Sequence, residues 1–162
     1  MAVDYFLKID GIDGESKDAK HKNEIDIQSF SWGETQVGTG HAGGGSGGGK
    51  VSMGDVQFNS KYLSKASPKL FLSCATGEHL KKAVLVCRRA GKDQQEYLNW
   101  TFTDVLISSY HTSGQEGGDS LPTESFSLNF TKIEIEYKEQ KPDGSLGGST
   151  KAGYHVAESH SV

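Results

Sequence analysis

Three long apolar runs in this chain change parity partway along, and no other feature restricts the fold as strongly. Ile25 and Ile27 take odd positions, then Phe30 and Trp32 take even ones. Val51 and Met53 give way to Val56 and Phe58, and Phe126, Leu128 and Phe130 give way to Ile133, Ile135 and Tyr137. Successive strand residues point to opposite faces, so a regular strand would swing each apolar set from the core to the outside. A one-residue bulge near Gln28–Ser29 returns the first run to one face and adds bend and twist. A flat open sheet has no use for three such corners. A closed or nearly closed barrel, or sheets whose corners are turned by bulges, does.

The remaining runs fit a mainly β chain. Val3, Tyr5, Leu7 and Ile9 alternate with Asp4, Lys8 and Asp10, a first strand whose outer face Phe6 keeps from being purely polar. Residues 11–23 read as a polar loop. Ser67-Pro68 opens the one convincing helix, with Ser as N-cap, Pro at the first helical position and Gly77 as the left-handed stop. Leu70, Phe71, Cys74 and Ala75 are expected on its buried face, so that the helix plugs or flanks the barrel. Lys81 to Arg89 is apolar on both faces and wants cover on both. In Glu96 to Tyr110 the pattern puts Leu98, Trp100, Phe102 and Leu106 on one face and Thr101, Thr103, Val105 and Ile107 on the other. Gly114 to Ser120 reads as a flexible loop. The long strand from Thr123 to Lys138 precedes a turn at Lys141-Pro142-Asp143-Gly144 and a last strand or arm from Lys151.

Between the strands that contain Phe30 and Phe58 lies a segment in which glycine fills eight of the twelve positions from 38 to 49. Such a segment can neither form a helix nor pack a strand interior. It reads as an arm that lies against something other than its own core. At 162 residues the chain reads as one domain, 1–162, with 38–49 as the arm and 141–162 as a C-terminal turn and tail. A domain of this size buries roughly 70% of its unfolded surface without staples. Cys74 and Cys87 are therefore expected as buried reduced thiols.

Chemical motifs are weak throughout. A net charge of −4, with cations scattered among the acids, speaks against a nucleic-acid surface. Met1 to Asp10 lacks the apolar core of a secretion signal or membrane span, so no membrane insertion is expected. Gly38-Thr39-Gly40-His41-Ala42-Gly43 satisfies a GxGxxG search, and Gly44 to Lys50 satisfies a P-loop except for its final Ser/Thr. Both motifs need a following helix, and here a strand follows. His21, His41, His79, His111, His155 and His160 show no metal-ligand spacing and read as loop histidines. There is no GxSxG nucleophile elbow. Neither a cofactor nor an enzyme is expected. A second class, a small-ligand or carbohydrate-binding β-barrel, would use Trp32, Trp100 and Tyr110 as a stacking platform, against the plainer reading of the three as core.

An ordered series of residues carries a resemblance. Gly14-Glu15-Ser16-Lys17-Asp18 precedes His21 and the run Glu24-Ile25-Asp26 to Phe30-Ser31-Trp32-Gly33. The glycine arm, Lys50, Lys61-Tyr62, Lys65 with Ser67-Pro68, Cys74, Gly77 with His79, and Glu124 to Phe130 follow. Over nearly its whole length the chain resembles the haemolysin-coregulated protein (Hcp) family, the tube component of bacterial type VI secretion systems. The resemblance implies a two-sheet β-barrel with one short helix, assembled as a hexameric ring. Rings would stack into a tube that carries small effector proteins, is sheathed by a contractile sheath and tipped by a spike. It also implies synthesis in the bacterial cytoplasm and export to the extracellular space or a target cell without a cleavable signal peptide.

On this reading Ser29 and Ser31, opposite Phe30 and Trp32, are the candidates for a lumen lined by small polar groups. Gly38, Gly40, His41, Gly43, Gly44, Gly45, Gly47, Gly48 and Gly49 form an arm suited to reach an adjacent ring. Val84, Val86, Thr103, Val105 and Ile107, on the two-faced strands, are candidates for contact between subunits.

Overall fold

The structure, a computed structural model, describes residues 2–36, 50–89, 93–118 and 121–162. Its elements are β1 (Val3–Ile9), β2 (Ile25–Ser31), β3 (Glu34–Gln36), β4 (Val51–Met53), β5 (Val56–Ser60), α1 (Ala66–Thr76), β6 (His79–Arg89), β7 (Glu96–Ser113), β8 (Thr123–Gln140), β9 (Leu146–His155) and β10 (His160–Ser161). The main sheet runs β10-β9-β8-β5-β2-β1-β6-β7, and β7 pairs again with β8. Six strands therefore close on themselves, with every pairing antiparallel, while β3 and β4 form a small second sheet. Closure leaves no free edge within the ring of six, and β10 is the edge that remains on the β9 extension. The interior is solid. Phe58, Phe102 and Phe126 are all at most 1% exposed, and Phe58 stacks on Phe126 with ring centroids 5.4 Å apart.

Each parity change has its own mechanism. In β2 the register against β5 slips between Ile27 and Ser29, the expected bulge, and Phe30 and Trp32 rejoin the core side. The run from Val51 to Phe58 is instead broken at Gly54-Asp55, where β4 ends and β5 begins. Gly54 N–H bonds to Gly33 O at 3.0 Å, and the Trp32 indole N–H to Gly54 O at 2.8 Å. The third reversal is shared by two strands. Inward residues run Phe126, Leu128, Phe130, then Ile133 in β8, and Phe102, then Val105 and Ile107 in β7. The pairing register is unchanged on either side, so neither strand gains a residue there. Asp104, at φ 52°, makes the corner; Asp is one of the few non-glycine residues that enter this region readily.

That corner overturns the expected faces of β7. Val105 and Ile107 are 0% and 1% exposed, inside the barrel with Phe102, and Leu106 points outward. The helix differs as well. It begins at Ala66 with Lys65 at the N-cap and no side-chain cap, while the Ser67 hydroxyl accepts from the Ser64 N–H at 3.1 Å. Its buried residues are Ala66, Ser67, Leu70 and Ser73, whereas Phe71 and Leu72 are each 58% exposed. Gly77 does supply the left-handed stop, at φ 67°. The helix packs on β7, beside a buried Glu124 that accepts from the hydroxyls of Ser60 at 2.7 Å and Tyr110 at 2.6 Å. The C-terminal strand starts earlier than expected, at Leu146, and β10 folds back on it. Both cysteines are unpaired, and burial pushes the Cys87 thiol up to about 12.

Residues 11–23 form a lid over the outer face of β1 and β6. His21, only 6% exposed rather than a free loop histidine, stacks on Phe6 with centroids 4.4 Å apart and ring planes 10° from parallel. Its Nδ1 lies 3.0 Å from Glu24, just before β2, and its Nε2 lies 2.6 Å from Glu96, which ties the lid to β7. Burial raises the Glu24 carboxyl above the ordinary range, opposed by its hydrogen bond to His21. Beside it Arg88, 3% exposed, donates to both oxygens of Asp18 at 2.9 and 2.7 Å and lies over the Phe6 ring.

Two outcomes follow from the lid. The Arg88 guanidinium holds the Asp18 carboxyl far below the usual carboxylate range. Its contribution is therefore present above the unfolded carboxyl value of about 4 and is lost as pH falls below it. Asp18→Asn should lower the urea midpoint at pH 7 and flatten its decline between about pH 4 and pH 2; an unchanged pH profile would show that the pair contributes nothing. A Cβ on Gly14 would meet Glu24 O at 2.5 Å and Ile25 Cα at 2.8 Å. Gly14→Ala should cost about 1–3 kcal/mol by the same denaturation measurement.

Candidate functional site

A barrel filled with phenylalanine has no room for a ligand inside it, so whatever the chain does is done on its outer faces. Two of them differ sharply in composition. Across β2, β5, β8 and β7 the pairings set Ser29 beside Asn59, Asn59 beside Ser125, and Ser125 beside His111. One step along, Ser31 stands beside Gln57, Gln57 beside Ser127, and Ser127 beside Ser109. Ser29, Ser31, Gln57 and Asn59 are all exposed. Asn59 Nδ2 donates to the Ser29 hydroxyl at 2.8 Å, and the Ser127 hydroxyl is held by those of Ser108 and Ser109 at 2.7 and 2.5 Å. These two rows carry amides, hydroxyls and one imidazole, with no carboxylate, ammonium or aliphatic chain among them. A shallow concavity of about 650 Å³ borders them, between Ser29, Asn59, Lys61, Tyr62 and Leu121.

The face made by β1, β6, β7, β8 and β9 mixes charge with aliphatic groups. One row runs Lys8, Val84, Thr101, Glu134 and the next Phe6, Val86, Asn99, Glu136, Lys151. Lys151 pairs with Glu136 at 2.9 Å and Lys132 with Glu134 at 3.1 Å. The Lys151 ammonium pulls the Glu136 carboxyl down, and Glu136 raises Lys151 in turn. Exposed pairs of this kind contribute little to stability in water, so they leave the face free to exchange partners. Val84 and Thr103 are half-buried here; Val86, expected at a subunit contact, is instead buried at 8% exposed, opposite the buried Phe6. Val105 and Ile107 have no surface to offer, being in the core.

The third feature is an apolar groove of about 310 Å³ between the β3–β4 ribbon and the β8–β9 pair, with Trp32, Met53, Trp100, Ile135 and Tyr154 among its walls. Trp32 and Trp100 come together there, 5.7 Å between centroids and tilted by 55°. Tyr110 is not with them. It lies under α1, 6.5 Å from Phe71, with its hydroxyl spent on Glu124. The three-aromatic platform that a sugar site would need is therefore not assembled. Gly38 to Gly49, His41 included, lie outside the described residues; the segment leaves from Gln36 and returns at Val51, which are paired neighbours.

Sequence reasoning picked out Ser29 and Ser31 but missed their partners Gln57 and Asn59. The alternation of those two with Val56 and Phe58 is the signal that marks them. No cluster of three or more His, Cys, Asp or Glu suited to a metal occurs among the described residues, and no described helix is long and apolar enough to cross a membrane.

Known proteins match this arrangement along the whole chain. A family model described as "Type VI secretion system effector, Hcp" matches residues 6–137. Protein hcp1 of Pseudomonas aeruginosa strain PAO1 is 45% identical over 160 residues, 98% of each chain. The crystal structure of Hcp1 from Salmonella typhimurium is similar at 38% identity and a TM-score of 0.81, covering 100% of both chains. That of a type VI secretion system effector from Yersinia pestis is similar at 37% identity and a TM-score of 0.75, covering 94% of this chain and all of that one. The closed barrel, the helix that packs on it and an identity of this size over full length carry one conclusion: the chain belongs to the Hcp family, the tube protein of type VI secretion systems.

Proposed function

We propose that this chain is a structural tube subunit whose copies close into a hexameric ring, that the rings stack into the expelled tube, and that the bore carries small effector proteins. The observation that supports this most directly is the pair of small polar rows around Ser29, Ser31, Gln57 and Asn59. A bore must bind cargo weakly enough to release it. Exposed hydroxyls and amides already solvated by water gain little by exchanging it for a cargo's polar groups, while long apolar or charged side chains would hold on. Ser29 and Ser31 face the bore in this reading.

The mixed face with Val84 and Thr103 meets neighbouring subunits. Such a contact joins two different patches, and it closes into a ring when the rotation between copies divides a full turn. The arm from Gly38 to Gly49 reaches the adjacent ring, the spike and sheath components meet the tip and outside of the tube, and export rides on the tube itself. The chain, residues 1–162, acts as one structural unit, and its role is mechanical rather than catalytic.

Light scattering on the purified protein should give one species at six subunit masses; a monomer at all concentrations overturns the proposal. Ser31→Gln should leave that mass unchanged and reduce co-purification of a small effector several-fold. Full retention of the effector would move the bore to another face. Deleting 38–49 should spare the ring and abolish stacks in negative-stain images.

A further inference from the structure

Helix α1 is apolar on two sides. Ala66 and Leu70 are buried, on the side that packs on β7. At 3.6 residues per turn, Pro68, Phe71, Leu72 and Ala75 fall within about 100° of one another on the other side, and all four are exposed. Leu63, in the segment leading into α1, is exposed as well. Charge around this stripe is one-sided. The chain as a whole is acidic, at −4, yet from Val56 to Gly77 it carries no carboxylate and three lysines, Lys61, Lys65 and Lys69. All three are exposed, and among the described residues none of them lies in an ion pair, whereas Lys132, Lys138 and Lys151 each sit beside a glutamate. Lys65 stands at the N-cap of α1, and Lys69 lies one turn on, beside Leu72. The amino end of a helix carries a partial positive charge and favours acids, of which the first turn here has none. Two lysines in that place work against the isolated fold and add their field to that of the helix. The nearby acids are engaged elsewhere: Glu124 is buried with Ser60 and Tyr110 on its oxygens, Asp26 accepts from the Tyr62 hydroxyl, and Glu78 lies past the carboxyl end of α1.

We infer that this stripe docks α1 on a membrane surface rich in anionic lipid, with Phe71 and Leu72 sunk at the level of the headgroups and Lys61, Lys65 and Lys69 on lipid phosphates. An exposed apolar stripe asks for a partner. A flank of unpaired cations with no acid among them selects an anionic one, and a bilayer surface offers both chemistries at once: phosphates in the plane and an apolar layer just beneath. A fluid layer also receives a protruding phenyl and isobutyl group without a preformed pocket. At 11 residues α1 is about 16 Å long, half the ~30 Å hydrocarbon core, so it lies on the bilayer and does not cross it. The inference does not depend on the assembly proposed above.

Co-sedimentation of the purified chain with vesicles tests the docking. The wild type should sediment with phosphatidylcholine vesicles that carry about a third phosphatidylglycerol, and should stay in solution with phosphatidylcholine alone. Added salt should release it, since exposed charges are screened. Lys65→Glu combined with Lys69→Glu should lower the vesicle affinity at least about tenfold. Phe71→Ser combined with Leu72→Ser should lower it as far, although every lysine remains. Both pairs change only exposed positions, so circular dichroism, thermal midpoint and light-scattering mass should be those of the wild type. Equal binding to the neutral vesicles, undiminished binding by either pair, or no binding by the wild type overturns the docking. None of these results touches the tube reading, which stands or falls on the mass of six subunits. A Ser pair with an altered mass would assign the stripe to a contact between copies and overturn the docking as well.

Discussion

Closure of the sheet by the β7–β8 pairing is the constraint on which the rest of the structure depends. These strands pair from Leu98 with Tyr137 to Ser113 with Thr123, so one long ribbon serves both as a hairpin and as the seam of the barrel. To close, both strands must turn a corner without losing register. They do so together at Asp104, where the backbone enters the left-handed region and the inward set passes from Phe102 to Val105 in one strand and from Ile133 to Phe130 in the other. A bulge in only one strand would have shifted the pairing, and with it every side chain beyond the corner. The slip at Ile107–Ser109, where β7 does take an extra residue, brings Tyr110 back to the core side above Glu124.

The seam also explains why a second, polar layer is needed. Phe6 and Val86 are buried on the outside of the barrel, apart from the main core cluster. Residues 11–23 cover that patch with the flat face of His21, and Arg88 of β6 lays its guanidinium on the same Phe6 ring. Burying two such polar groups is costly unless they find partners; the carboxylates of Glu24, Glu96 and Asp18 supply them to the imidazole and to the two terminal guanidinium nitrogens, while Arg88 Nε has none among the described residues. The lid is thus held by geometry and charge, which makes it sensitive to single substitutions.

How much of this could be read from the residues depended on whether a signal was local. The corner at Gln28–Ser29 is visible because apolar residues stand on both sides of it in one strand. The corner at Asp104 is not, since Leu106 offers a false continuation of the Phe102 face; Val105 and Ile107 therefore looked like surface. The helix is visible through Pro68 and Gly77, but its buried stripe is not. Ser67 and Ser73 are buried where they can hydrogen-bond, Ser67 to the Ser64 amide and Ser73 to Glu78, which leaves Phe71 and Leu72 outside. The lid is invisible altogether, because its partners lie far away in sequence: His21 and Glu96 are 75 residues apart. The polar rows were half legible, through Ser29 and Ser31, since a row crosses strands and the pairing of β2 with β5 is not written in either alone.

On the proposed assembly, a contact between two single copies in adjacent rings is weak, because most of what it gains is spent on lost translational and rotational freedom. Six such contacts held in one ring act differently. The first to form brings the other five to an effective concentration in the millimolar range or above, and they close at little further entropic cost. On the proposed assembly the order of events follows: subunits must ring before rings can stack, and loss of one subunit's grip within a ring weakens the stack far more than its own share. The charged face suits the earlier step, since exposed pairs such as Lys151–Glu136 are cheap to exchange and steer encounters at long range. Short-range packing suits the later one, where it adds to an orientation already set.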